Sequence, residues 1–81
     1  MTRDDVITRL VPLMEDVFDT DDLVYSDSLT ANDVMEWDSL SHIRFVVATE
    51  RAFNVRFTPS EIESFKNVGD LVTAVQTKTA S

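Results

Sequence analysis

The sequence predicts an all-α fold, a four-helix bundle with a short third helix and a long loop between helices 1 and 2. The chain has 81 residues, so we expect residues 1–81 to form a single small domain. Valine and leucine recur at spacings of three and four residues rather than at alternate positions, which is typical of helices. Hydrophobic residues make up 43% of the chain and glycine occurs once, which indicates a packed core rather than disorder.

The first predicted helix begins near Thr2, whose hydroxyl can cap the helix while Asp5 complements its positive end. Its apolar residues lie along one stripe: Val6, Ile7, Leu10, Met14 and Val17. Pro12 lies within this segment, and an interior proline costs a helix about 3 kcal/mol. We therefore expect either a kink at Pro12 or a helix that begins later.

The helical pattern is lost between Asp19 and Asp38, where aspartate, serine and asparagine favour turns and helix caps. A connection of about 20 residues is long for a small domain, and such loops are usually functional or packed by their own side chains. We expect three apolar residues to hold this loop against the bundle: Leu23, Val24 and Leu29.

The second predicted helix has Asp38 as its N-cap, Ser39 as its first residue and Asn54 as a left-handed C-cap. Arg44, Glu50 and Arg51 are expected on its exposed side. The predicted buried face consists of Leu40, Ile43, Val46, Val47 and Phe53.

The third predicted helix is short and begins at Thr58, with Pro59 in its first turn and Glu61 completing a capping box. Its apolar residues are Ile62 and Phe65. The last helix is predicted from about Asn67 to Thr77, and its inward residues are Val68, Leu71, Val72 and Val75. Residues 78–81 have nothing to pack against, so we expect a frayed tail.

The charge balance indicates which partners the protein meets. Fifteen acidic and seven basic side chains give a formal net charge of −8. Such a surface repels nucleic acids and anionic membranes and favours basic protein surfaces. The absence of cysteine excludes disulfides and thiolate metal sites. No apolar run approaches the roughly 20 residues of a membrane helix, and the N-terminus has no signal-peptide pattern. We therefore expect a soluble, cytoplasmic monomer.

A candidate site lies in the segment Glu36-Trp37-Asp38-Ser39-Leu40, at the end of the long loop. Ser39 is expected to be exposed at a helix N-terminus, where unpaired N–H groups and the helix dipole would stabilise a phosphodiester. A serine here could also do no more than begin a helix, since so short a motif occurs by chance.

Three segments together carry a family resemblance. They are Asp38-Ser39-Leu40, then Glu50-Arg51-Ala52-Phe53-Asn54-Val55-Arg56-Phe57, and finally Val68-Gly69-Asp70-Leu71. In their order and spacing, and in the long loop before them, they resemble the acyl carrier proteins. The resemblance extends from about Val6 to Lys78.

The resemblance implies a carrier rather than an enzyme. A phosphopantetheinyl transferase would attach 4′-phosphopantetheine from coenzyme A to Ser39, with Asp38 orienting the transfer. The arm would hold an acyl group as a thioester for acyl-loading and acyl-processing enzymes. Leu40 and Ile43 match positions where partners dock or the bundle is lined. The full set of candidate docking residues is Trp37, Leu40, His42, Ile43, Arg44 and Glu61.

Two departures favour a specialised carrier for a polyketide, mixed peptide or lipid-like pathway. Glu36 stands where many fatty-acid carriers have glycine, and Trp37 follows it. The second helix, usually acidic in those carriers, has His42, Arg44 and Arg51 beside Glu50. Trp37 is either an exposed anchor for a partner or half-buried packing, and we favour the packing role.

Four other interpretations compete with this one. Asp38, Ser39 and His42 have the residue types of a hydrolytic triad, but Ser39 and His42 are neighbours on one helix face and no oxyanion hole is evident. A calcium loop beginning at Asp19 would lack its glycine and would have Thr30 at the twelfth position. An acidic helical adaptor and a stand-alone peptidyl carrier both remain open.

Overall fold

The computed structural model describes residues 2–21, 23–34 and 37–79. Four helices make up the regular structure of this part, which contains no strand: α1 Arg3–Val17, α2 Ser39–Phe53, α3 Pro59–Ser64 and α4 Val68–Thr79. Helix α1 packs against both α2 and α4. The predicted all-α bundle with a short third helix is therefore confirmed.

Helix α1 begins where its capping residues predict. The Thr2 hydroxyl accepts a hydrogen bond from the Asp5 N–H, and the Asp5 carboxylate accepts one from the Thr2 N–H. The helix continues without a break through Pro12, so the expectation of a later start is wrong. Pro12 has no N–H to donate to the Thr8 carbonyl, so one helix hydrogen bond is missing. Both residues are exposed, so water can bond to this carbonyl instead. A bend at Pro12 stays a prediction.

The core lies where α1, α2 and α4 meet the packed part of the long loop. Its buried apolar residues are Val6, Leu10, Met14, Phe18, Leu29, Val34, Phe45, Val46, Phe53, Phe57, Val68, Leu71, Val72 and Val75. Ile7, Val17, Ile62 and Phe65 pack at its edge and are partly buried. The predicted stripe of α1 thus faces the core, whereas Phe18 and Phe45 are core residues that the sequence pattern did not identify.

Helix α2 is rotated relative to the prediction. Leu40 and Ile43 are each 60% exposed and Val47 is 39% exposed, so their predicted burial is wrong. The helix instead buries Phe45, Val46, Thr49 and Phe53. Phe45, Thr49 and Phe53 are spaced four residues apart and form one stripe. Thr49 is buried at no polar cost, because its hydroxyl donates to the Phe45 carbonyl at 2.8 Å.

The connection from α2 to α3 follows its predicted caps. Asn54 ends α2 with φ 54° and ψ 48°, in the left-handed region. The Glu50 carboxylate accepts a hydrogen bond from the Phe57 N–H at 2.9 Å, which fixes the chain that leaves the helix. Thr58 and Glu61 then form the predicted capping box of α3.

The long loop is fastened to the start of α4. The Val68 N–H donates to the Leu29 carbonyl at 2.9 Å, and the Gly69 N–H donates to the Asp27 carbonyl at 3.0 Å. Leu29 is buried and Leu23 partly buried, as predicted, but Val24 is 80% exposed, so its expected packing is wrong. Backbone bonds to α4 replace the contact that Val24 was expected to make.

The loop is also tied to α1 through Asp27. The Arg3 guanidinium lies 2.9 Å from the Asp27 carboxylate, and the Tyr25 hydroxyl donates to the same oxygen at 2.6 Å. Hydrogen bonds from Tyr25 and then Arg3 lower the pKa of Asp27. Desolvation and then the hydrogen bond to Asp27 raise the pKa of Tyr25 to about 12.

The C-terminal helix is longer than predicted. Helix α4 continues to Thr79, and the Lys78 ammonium lies 3.0 Å from the Glu61 carboxylate of α3. The expected fraying at residues 78 and 79 is therefore wrong, because this ion pair and the helix hydrogen bonds hold them. Ala80 and Ser81 lie outside the described residues. In the described part of the chain, no helix has the length and apolar character needed to cross a membrane.

Candidate functional site

The site begins at the N-terminus of α2. The Asp38 carboxylate caps the helix by accepting a hydrogen bond from the Ser41 N–H at 2.8 Å. This backbone bond is the main cause of the lowered pKa of Asp38, so the carboxylate stays ionised at neutral pH. Ser39 is the first residue of the helix and is exposed. Asp38 therefore makes the cap, and Ser39 is left free of that role.

The Ser39 hydroxyl has no structural task among the described residues. The hydrogen bonds in that part of the chain do not use it, although Ser26, Ser28 and Ser64 each use theirs. An exposed hydroxyl at the first turn of a helix can be modified without breaking any bond of the fold. The position thus meets the requirement for covalent attachment of an anionic group.

Trp37 and His42 form the wall next to Ser39. The Trp37 indole Nε1 donates to His42 Nδ1 at 3.1 Å, and the two rings stack with centroids 5.9 Å apart. Trp37 also stacks on Phe18 at 4.8 Å and meets Phe45 edge-on at 5.5 Å. Its half-buried position confirms the predicted packing role, and the bond to Trp37 holds the His42 ring in place.

These contacts do not form a hydrolytic relay. His42 Nδ1 accepts from Trp37, and the Asp38 carboxylate accepts from the Ser41 backbone. The His42 N–H donates to the Asp38 carbonyl at 2.9 Å, which is a helix backbone bond, and no side-chain hydrogen bond among the described residues links Asp38 to His42 or His42 to Ser39. A triad needs both links, so the geometry argues against activation of Ser39 as a nucleophile.

A cleft opens beside Ser39, between α2 and the start of α4. Its volume is about 660 Å³, and Ser39 and Asp38 lie on its lining together with Trp37, His42 and Ile43. The apolar wall is completed by Phe45, Phe65, Val68 and Leu71. The cleft has the size and apolar character of small-molecule sites.

The structure divides the predicted docking residues into two groups. Trp37, His42 and Ile43 line the cleft, whereas Leu40 and Arg44 lie exposed on α2. Glu61 lies apart on α3, where the Thr58 backbone bond and then the Lys78 side chain lower its pKa. Its carboxylate thus already has two intramolecular partners.

Sequence reasoning did not assign Phe45, Phe65 and Leu71 to the site. Leu71 was expected in the core, and Phe65 was expected on the apolar side of the third helix. Phe45 had a local signal, since it lies four residues before Thr49 and eight before Phe53 on one stripe. That stripe shows a shared face, but the meeting of this face with α4 depends on the tertiary packing.

Comparison with known proteins gives consistent similarities. A family model described as a phosphopantetheine attachment site matches residues 8–75, which include Ser39 and the whole cleft lining. An acyl carrier protein of Acidothermus cellulolyticus is 32% identical over 83 aligned positions, covering all of this chain and 96% of that protein. A meromycolate extension acyl carrier protein of Mycobacterium leprae is 25% identical over 76 positions, covering 94% of this chain and 66% of that protein.

A solved structure has the same fold. The solution NMR structure of a holo acyl carrier protein from Geobacter metallireducens superposes with a TM-score of 0.87 and is 39% identical in sequence. The match covers 93% of this chain and 86% of that one, so it includes most of the bundle rather than a single helix pair.

Proposed function

Because the chain belongs to the acyl carrier proteins, the family with the phosphopantetheine attachment site, we propose that Ser39 carries the arm and that the protein ferries acyl groups. The cofactor of the chain is covalently attached 4′-phosphopantetheine. The observation that supports Ser39 is its exposed hydroxyl, which is free of structural hydrogen bonds within the described residues and lies at the start of α2.

The residues around Ser39 fit this group. The N-terminal N–H groups and dipole of α2 favour a phosphodiester at its first residue. Asp38 keeps the helix start in place through its bond to the Ser41 N–H, independently of any change at Ser39. When bound, the group supplies a terminal thiol that holds an acyl chain as a thioester. The chain has no cysteine, so this thiol has no competitor within the protein.

The cleft offers an apolar surface to the carried acyl chain. Near the α2 N-terminus it is lined by Trp37, Phe45, Phe65 and Leu71. Each methylene group that moves from water onto such a surface gains about 0.8 kcal/mol when fully buried. Even partial burial would therefore favour an apolar cargo over a polar one.

The chemistry of loading and processing belongs to partner proteins. Acyl carrier proteins work with a phosphopantetheinyl transferase and with acyl-processing enzymes, and they act as carriers rather than catalysts. The absence of an Asp38–His42–Ser39 relay among the described hydrogen bonds supports the same role for this chain. The exposed arginines of α2 support a specialised pathway, of the polyketide, mixed peptide or lipid-like class, over general fatty-acid synthesis.

Intact mass measurement tests the proposal. The purified protein is incubated with coenzyme A, magnesium and a broad-specificity transferase, and a mass gain of one phosphopantetheine with one titratable thiol per chain is expected. Ser39→Ala should remain folded and gain neither. Ser41→Ala is the matched control, because it removes a neighbouring serine hydroxyl but keeps the backbone N–H that bonds to the Asp38 cap, and it should be modified like the parent.

Two results would contradict the proposal. A mass gain in the Ser39→Ala variant would place the arm elsewhere. No gain in the parent, with a cognate transferase and a working positive control, would favour a helical adaptor that keeps the fold without the arm. A stand-alone peptidyl carrier would gain the arm, and loading assays with acyl and aminoacyl thioesters would distinguish it.

A further inference from the structure

Helix α2 presents an exposed apolar stripe to solvent. Leu40, Ile43 and Val47 are spaced three and four residues apart, so they form one continuous line along the helix. Leu40 and Ile43 are each 60% exposed, although the helix has a separate buried face. This stripe is therefore not part of the core. We call the surface formed by this stripe together with Arg44 and Arg51 the outer α2 face.

The outer α2 face is cationic in a strongly acidic protein. Residues 39–56 contain three arginines and one glutamate, whereas the rest of the chain has four basic and fourteen acidic side chains. Arg44 and Arg51 lie seven residues apart, on the same side of α2 as Val47. Arg56 follows the end of the helix and lines a depression together with Val47 and Arg51.

These arginines have no ion-pair partner among the described residues. In that part of the chain the ion pairs are Arg3–Asp27 and Lys78–Glu61. Glu50, the one acidic residue of α2, accepts a hydrogen bond from the Phe57 N–H instead. Arg51 complements the negative end of the helix dipole, but Arg44 lies in the middle of α2, where the dipole provides no such role.

The surface beside the stripe also has a shallow depression. This depression, which is separate from the one that Arg56 lines, is formed by Ile43, Arg44, Val47, Ala48, Arg51 and Ala52. Because four of its six lining residues are apolar, the depression would admit apolar groups from a partner. Apolar contact at the centre with arginine at the edge is the composition of protein–protein interfaces.

We infer that the outer α2 face docks a partner enzyme through apolar side chains flanked by carboxylates. The inference rests on the proposed function, since the partner is an enzyme that works on the arm at Ser39, the first residue of the same helix. Charge complementarity assigns the carboxylates: an acidic flank attracts Arg44 and Arg51, and a basic flank would be repelled by them. The net charge of −8 therefore does not describe this face.

Binding of synthetic amphipathic helical peptides to the ¹⁵N-labelled, unmodified protein tests the inference. One peptide carries leucines flanked by glutamates, and the other is identical except that lysines replace the glutamates. The glutamate peptide should shift the amide signals of Leu40, Ile43, Arg44, Val47 and Arg51. The lysine peptide should shift signals of the acidic remainder of the chain instead.

Charge variants give the quantitative result. The double variant Arg44→Glu, Arg51→Glu should bind the glutamate peptide about tenfold more weakly, as expected for the loss of two exposed ion pairs and the gain of repulsion. Lys66→Glu is the control, because it reverses an exposed charge that is not part of the outer α2 face, and it should leave this affinity within about twofold. Arg44→Gln with Arg51→Gln should give an intermediate loss, and far-UV circular dichroism checks the fold of each variant.

Three results would overturn the inference. In the first, the glutamate peptide leaves the α2 signals unshifted, and in the second, the lysine peptide shifts them more strongly than the glutamate peptide does. In the third, the arginine variants bind the glutamate peptide as tightly as the parent. Sedimentation of the parent protein tests whether a second copy of the chain occupies this face instead of an enzyme. Self-association that the double arginine variant abolishes would assign the face to that second copy. Because all samples lack the arm, failure here is distinguishable from failure of Ser39 modification.

Discussion

Gly69 lies so close to Asp27 that a β-carbon at position 69 would stand 2.7 Å from the Asp27 carbonyl oxygen. The same oxygen accepts the Gly69 N–H at 3.0 Å, so this contact joins the long loop to α4. The close atom belongs to the backbone and cannot be relieved by a rotamer change. A glycine at this position is thus required for the loop to close.

Gly69→Ala should destabilise the protein by about 1–2 kcal/mol, because the strain of overpacking exceeds the gain in helix propensity. Urea unfolding followed by circular dichroism measures the change. Ser60→Ala, at an exposed position of α3, is the control and should change the unfolding free energy by less than about 0.5 kcal/mol. A Gly69→Ala variant as stable as the parent would show that the loop can move away from α4.

The hydrogen bond between Trp37 and His42 should contribute measurably to stability. Trp37→Phe keeps an aromatic ring against Phe18 but removes the indole N–H, and it leaves the half-buried His42 Nδ1 without its donor. We expect a loss of about 1 kcal/mol. A double-mutant cycle with His42→Phe isolates the pairwise energy, and a coupling energy near zero would show that ring packing alone holds the two side chains.

Two variants of Asp38 separate its capping role from its charge. Asp38→Ala should lower the unfolding free energy, whereas Asp38→Asn, which can still cap the helix, should lower it much less. We expect the transferase to modify both variants more slowly than the parent, because both lack the carboxylate beside Ser39. Initial rates by intact mass measure this effect. An Asn variant modified at the parental rate would assign Asp38 to capping alone.

The Arg3–Asp27–Tyr25 cluster predicts a loss of stability at both ends of the pH range. Tyr25 has a pKa raised to about 12, so the folded state holds its proton more tightly than the unfolded chain. This contribution is complete below pH 10 and is lost as the pH rises towards 12. The pKa of Asp27 is lowered, so its contribution is present above the ordinary aspartate range and is lost as the pH falls through the folded value.

Unfolding free energies between acid and alkaline pH measure these contributions. Tyr25→Phe should flatten the alkaline arm of the profile, and Asp27→Asn should flatten part of the acid arm. Glu63→Gln is a suitable control, because Glu63 is exposed and its side chain makes no hydrogen bond or ion pair among the described residues. An alkaline arm unchanged in Tyr25→Phe would mean that other groups cause the loss.

The sequence was sufficient to predict the helices because their ends are encoded locally. Thr2, Asp38, Asn54 and Thr58 each cap a helix through contacts within a few residues, so neighbouring side chains determine the boundary. The position of Ser39 at the start of α2 follows from Asp38 in the same way. Lys78 differs, because its partner Glu61 belongs to another helix and extends α4 beyond the predicted end.

The rotation of α2 could not be predicted from the same signals. The helix has two apolar stripes, one through Phe45 and Phe53 and another through Leu40, Ile43 and Val47. Hydrophobic periodicity identifies apolar stripes but does not tell which of two faces the core. Likewise, the pairing of Trp37 with His42 depends on Phe18, which α1 brings to the site from a distant part of the chain.

Since residues 39–56 hold three of the seven basic side chains and one of the fifteen acidic ones, we expect the molecule to have an electric dipole with this segment towards its positive end. A dipolar protein is turned by the field of another molecule before the surfaces touch, so its orientation on arrival is biased. A different carrier with the same net charge but an acidic second helix would have its dipole reversed. It would therefore approach the same enzyme in the opposite orientation. Exchange of carriers between pathways should therefore depend on matching the direction of this dipole as well as the total charge.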